Sequence, residues 1–154
     1  MKKALSFYLL FMLSIITVAQ VAPQLKLPIG HSHPISTFCI SSDSKFIVTG
    51  SEEESKIVLW QLNNCKQLTA INIEGKGAHK LLMSPGGNFF VVSSLEGPVV
   101  AYDFPSLKFK WKKESKRFQT DIEFLDKGKY MLINGLLIDS KTGFDLKDQK
   151  RFHM

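Results

Sequence analysis

Two histidines one residue apart, His31 and His33, and three consecutive carboxylates, Glu52, Glu53 and Glu54, are of types and spacing that could do chemistry. Adjacent carboxylates suit a hard cation, yet calcium takes about 6–8 oxygens spread along a loop or gathered from several. Three neighbours in an extended turn point in different directions, and no Asp or Asn joins them at alternating positions. An H-x-H pair can ligate zinc, which needs about three or four ligands. His79 and His153 lie in other parts of the chain, with no acid spaced to complete a site. Leu107 to Trp111, LKFKW, runs on into KKESKR, and Phe109 and Trp111 between lysines could stack on single-stranded nucleic acid. The plainer cause is an outer strand, with Leu107, Phe109 and Trp111 on one face and Lys108, Lys110 and Lys112 on the other. There is no G-x-S-x-G, and no serine or cysteine has a base and an orienting group beside it. Gly75-Lys76-Gly77 lacks the strand-to-helix setting of a phosphate loop. The expectation is a protein that is not an enzyme, with no catalytic, cofactor-binding or metal-ligating residue, no cofactor and no nucleic-acid partner.

Composition sets the frame for these residues. The chain has 154 residues, 44% hydrophobic and 22% charged, with a formal net charge of +6. That is the make-up of a globular domain large enough for one modest core. The charge favours loose attraction to anions without naming a partner. At the N-terminus, Lys2 and Lys3 precede the uncharged apolar run Ala4 to Val18, and Thr17-Val18-Ala19 offers small residues for a cut after Ala19. This three-part pattern is that of a secretory signal peptide, residues 1–19, of a bacterial kind. The run is shorter than the roughly 20 residues a spanning helix needs, although a retained anchor is the other reading. The mature chain, residues 20–154, is then exported to the periplasm, cell surface or medium, with no stable membrane span after cleavage. Cys39 sits in an apolar run and Cys65 in a polar turn, so two free thiols are expected rather than a disulfide.

A repeat organises the chain beyond its leader. Phe38–Phe46, FCISSDSKF, matches Leu81–Phe89, LLMSPGGNF, without gaps at an offset of 43, and Ile122–Tyr130, IEFLDKGKY, repeats the design 41 residues later. Each is followed by strand-like runs: FIVTGS, FFVVSS and YMLIN, then KIVLWQL, PVVAYDF and LLIDS, then NNCKQLTAI, PSLKFKW and KTGFDL. One unit is four short antiparallel strands in about 40 residues, with units at about 30–73, 74–112 and 113–148. Asn134-Gly135 accepts the positive φ of a type I′ hairpin turn.

Gly30-His31, SSDSKFIVTGS and IVLWQL resemble the WD-repeat signature. The second unit looks similar through Ser84-Pro85-Gly86-Gly87, Ser93-Ser94, Glu96 and Tyr102-Asp103, and the third through Asp126 to Lys129 and Ile138-Asp139. The resemblance implies an all-β partial propeller of about three blades. It also implies structural repeat positions at His31, Ser51, Glu54, Trp60, Ser94, Glu96, Tyr102, Asp103 and Asp139. The family's His–Ser–Asp–Trp hydrogen-bond network is expected only in the first unit, from His31, Ser51, Glu53 or Glu54, and a buried Trp60. Glu74 stands at the histidine's place in the second unit, and Trp-Asp becomes Trp60-Gln61, Tyr102-Asp103 and Ile138-Asp139. Function by resemblance is a protein-interaction scaffold without catalysis of its own. A segment of a larger secreted hydrolase or cofactor-dependent oxidoreductase is the alternative. Closed propellers have typically about 4–8 blades, so three units form an open arc with two apolar flanks. Such an arc is either a piece of a longer propeller protein or one that closes by self-association. Glu52 to Glu54 then read as a turn between two strands.

Overall fold

A computed structural model describes residues 30–115 and 117–146. The leader, Gln24 to Leu27, His153 and the chain's last residues lie outside the described residues. Among the described residues no helix is long and apolar enough to cross a membrane.

Over the described residues the protein is all-β, a partial propeller of three successive antiparallel sheets. The first contains β1 (Thr37–Ile40), β2 (Phe46–Ser51), β3 (Glu54–Gln61) and β4 (Lys66–Asn72), in sequence order. The second contains β5 (Lys76–Met83), β6 (Phe89–Glu96), β7 (Val99–Asp103) and β8 (Phe109–Lys113). The third contains β9 (Ile122–Leu125), β10 (Tyr130–Ile133) and β11 (Leu136–Asp139), with a short 3-10 turn at Asp126–Gly128. KTGFDL, expected as a fourth strand here, makes one isolated bridge between Ile138 and Asp145, so this sheet has three strands. At the Asn134-Gly135 turn φ is +47° and +85°. Both residue types tolerate that left-handed backbone, which lets β10 fold straight back as β11.

Register explains how these sheets pack. Phe38 pairs with Thr49, Leu81 with Val92, and Ile122 with Ile133, so residues matched by the repeat occupy matched places in the ladders. Side chains alternate between faces, which gives every sheet a leading face and a trailing face. The first sheet's trailing face (Cys39, Val48, Ile57, Leu59) packs on the second sheet's leading face (Leu81, Phe90, Val92, Val100, Tyr102) in one core. The second sheet's trailing face (Phe89, Val91, Val99, Ala101, Trp111) packs on the third sheet's leading face (Ile122, Met131, Ile133, Ile138) in another. The middle sheet is therefore covered on both sides, and β6 is buried from Phe89 to Ser94.

The alternation expected for LKFKW is corrected by a bulge. Tyr102 pairs with Phe109 and Ala101 with Trp111, leaving Lys110 as an extra residue. One inserted residue exchanges the two faces. Leu107 therefore enters the first core, Trp111 the second, and Phe109 stays 63% exposed. The first sheet carries the same device 42 residues earlier, where Trp60 pairs with Gln67 and Leu59 with Thr69 around Leu68.

Candidate functional site

The polar residues singled out above converge on the leading face of the first sheet. Trp60 Nε1–H donates to Thr49 Oγ1 at 2.8 Å, and His31 Nε2 meets that same hydroxyl at 2.9 Å. His31 Nδ1–H donates to Glu54 Oε2 at 2.6 Å. Glu54 Oε1 accepts from the Ser32 backbone N–H at 2.5 Å and from the Ser32 hydroxyl. Only 3% of the His31 side chain and 8% of that of Glu54 are exposed. Burial works to raise the Glu54 carboxyl; the hydrogen bonds from Ser32 and His31 oppose it and hold the group well below the usual carboxylate range. Gly30 makes this closure possible, because a Cβ there would run into the Trp60 ring.

Thr49, not Ser51, is the hydroxyl of the network. Ser51 is buried at the end of β2, where its Oγ accepts the Glu53 N–H at 3.2 Å. Alternation along FIVTGS puts Thr49 and Ser51 on one face. The pairing of Ile47 with Trp60 then brings Thr49 diagonally beside the indole. Trp60 is half-buried rather than buried, since among the described residues no sheet covers this face. Of the three glutamates, Glu54 is a buried acceptor. Glu52 reaches His79 of the second sheet at 2.8 Å, and Glu53 lies at the surface, 4.0 Å from His33.

Thr49, His31 and Glu54 are connected as a hydroxyl, an imidazole and a carboxylate are in a nucleophile–base–orienter triad. The surroundings do not suit that chemistry. The Thr49 hydroxyl already takes the indole N–H, and the neighbouring cleft of about 180 Å³ is lined mainly by Ile35, Ile47, Trp60 and Leu62, with Thr49, Gln61 and Cys65, and brings no charged group to the hydroxyl. The arrangement works as a clasp that pins Gly30–His33 across the sheet. Among the described residues no group of three His, Cys, Asp or Glu side chains could hold a metal ion.

The matching places in the other sheets hold no such network. The residues aligned with Thr49 are Val92 and Ile133, which have no hydroxyl to meet an indole N–H or an imidazole nitrogen. Ser94 Oγ–H donates to the Glu74 carbonyl at 2.6 Å, and Glu96 makes an exposed ion pair with Lys76 at 3.5 Å. Tyr102 stacks on Phe90, and burial, then the Glu74 charge, push its phenol up. Asp103 accepts from Lys110 Nζ at 3.1 Å, and Asp139 accepts the Thr142 N–H at 2.9 Å in a tight turn. Cys39 and Cys65 are free thiols, one buried and one exposed, and burial pushes the Cys39 thiol up to about 12.

A second feature was not visible in the sequence. At one end of the array the turns between the first two strands of each sheet lie side by side. Ser42 packs against Gly87, and Pro85 against Gly128. A cleft of about 500 Å³ opens at the second junction, lined by Ser84, Pro85, Phe89, Lys127, Lys129, Lys141 and one carboxylate, Asp139, among others. Most described lysines pair with acids, as Lys80 does with Asp121 and Lys113 with Asp145, both at 2.6 Å. Among the described residues none of the three cleft lysines has a carboxylate within ion-pair distance.

No protein-family model matches the chain, and no curated protein matches it in sequence. Among solved structures, Kuenenia stuttgartiensis hydrazine synthase is similar, with a TM-score of 0.63 at 14% sequence identity over 71% of this chain and 35% of that one. At that identity the likeness is one of fold, and it agrees with the propeller-like array of sheets.

Proposed function

We propose that the chain is a non-catalytic, WD-repeat-like propeller scaffold of an exported protein, and that it binds an acidic partner protein across the row of turns. The observation that carries the reading is the cleft edged by Lys127, Lys129 and Lys141, where three lysines outnumber one lining carboxylate, Asp139, and none is within ion-pair distance of it. Such a surface steers and holds anionic groups. The WD-repeat part rests on the His31–Thr49–Trp60 clasp with Glu54, which follows the family's His–Ser–Asp–Trp pattern with threonine for serine and glutamate for aspartate.

The test is a photocrosslinking amino acid placed at Lys127 and, as a control, at the surface residue Lys66, in cells exporting the protein. The expected result is a discrete adduct with another protein from Lys127, none from Lys66, and loss of the adduct when Lys129 and Lys141 are changed to Glu. Equal labelling from both positions would refute the docking surface. A mature N-terminus other than Gln20 would count against the export route. The second reading, a segment of a larger secreted enzyme, is favoured by the likeness covering only 35% of an enzyme chain. Turnover confined to a longer product containing these sheets would support it.

A further inference from the structure

Each internal junction joins a trailing face to the next leading face. Two faces lack such a cover among the described residues, and they are one of each kind. The leading face of the first sheet bears Phe38 and Ile40, 58% and 45% exposed, beside Ile47 and Trp60. The trailing face of the third sheet bears Leu132 and Leu137, the latter 37% exposed, with Glu123. Leu132 and Leu137 occupy the ladder positions that Val48 and Leu59 occupy in the first core and Val91 and Ala101 in the second. The clasp does not close the leading face, because Gly30 and His31 cross it at Trp60 and Thr49 and leave Phe38 and Ile40 in solvent.

We infer that a second copy of this chain covers both faces, head to tail. The trailing face of one copy's third sheet would pack on the leading face of the other's first sheet, and the reverse. The contact continues the junction already made twice within the chain, which is the reason to favour a second copy over an unrelated apolar partner. Two copies of the three described sheets make six, inside the typical closed range of about 4–8 blades. A two-fold axis would cover both of these faces at once. Glu123 stands where Cys39 and Leu82 stand in the other sheets, so this junction is more polar than the internal ones and its association correspondingly reversible.

The experiment is sedimentation velocity over a micromolar concentration series, with the protein purified from its producing cell. The expected result is a species of twice the monomer mass. Phe38→Glu and Leu137→Lys should each raise the dissociation constant at least tenfold, with β-sheet circular dichroism unchanged because both side chains are exposed. An equimolar mixture of the two variants should regain association, because one heterologous contact in the mixed pair is wild type on both sides. A monomer throughout the series would overturn the inference. So would a Leu137→Lys variant that pairs as well as wild type, since leading faces would then be meeting each other.

Discussion

The first and second sheets share strand order, register and even the position of an outer-strand bulge, but they are held in place differently. The second has packed neighbours on both faces, and its leading face is apolar: Leu81, Phe90, Val92 and Val100. Among the described residues the first has no neighbouring sheet on its leading face, and there the positions of Val92 and Tyr102 hold Thr49 and Trp60, tied to His31 and Glu54. Where a sheet supplies the cover, area and shape suffice. Where a short backbone segment supplies it, little apolar area is available, and directed hydrogen bonds hold the segment down.

This contrast can be broken by substitution, beginning with the largest expected effect. Phe90→Ala empties a fully buried site between the first two sheets and should cost about 3–5 kcal/mol in denaturant unfolding. Trp60→Ala should cost less, since the indole is half-buried on an uncovered face; an equal or greater loss would contradict the comparison. Thr49→Val, which installs the second sheet's residue in the first, should cost about 1–3 kcal/mol by leaving the indole N–H without its acceptor and the His31 Nε2 without its partner. The converse change, Val92→Thr, should also destabilise, because it buries a hydroxyl between apolar sheets. If either exchange is neutral, the two sheets are not held by different means.

A smaller effect is set by pH. The folded Glu54 carboxyl titrates below its unfolded value, so its contribution is fully present above about pH 5. It is lost as pH falls below the ordinary carboxylate range towards the folded value. Glu54→Gln should flatten that part of the stability profile. A shallower slope should remain, because hydrogen bonds from Ser41 to Asp43 and from Lys80 to Asp121 lower those carboxyls too. An unchanged profile would remove Glu54 from the clasp. Smallest of all is Glu96→Ala, which deletes an exposed ion pair in the second sheet and should leave the unfolding midpoint where it was.

Most of the fold was legible because repeats state their own spacing. Matched runs at offsets of 43 and 41, with turn residues between them, predict successive four-stranded units, and two such sheets and a three-stranded one are present. The misplacements have physical causes. Alternation read through LKFKW cannot see a bulge, because the extra residue shows only when β8 is paired with β7. Trp60 reads as a core residue by type, yet its burial depends on whether anything covers the first sheet. Ser51 and Thr49 share a face, and only the register of β2 against β3 chooses between them.

The sequence by itself therefore determined the all-β class, the unit length, the order of the strands and the residue types available for a clasp. These depend on local propensity and on a pattern that recurs along the chain. Tertiary structure alone decided that Glu54 rather than its two neighbours is buried, that Thr49 bridges His31 and Trp60, and that Lys127, Lys129 and Lys141 edge one cleft. It also decided which faces stay open. Each of these depends on which strands pair and which sheets stack, and so on contacts between residues far apart in the chain.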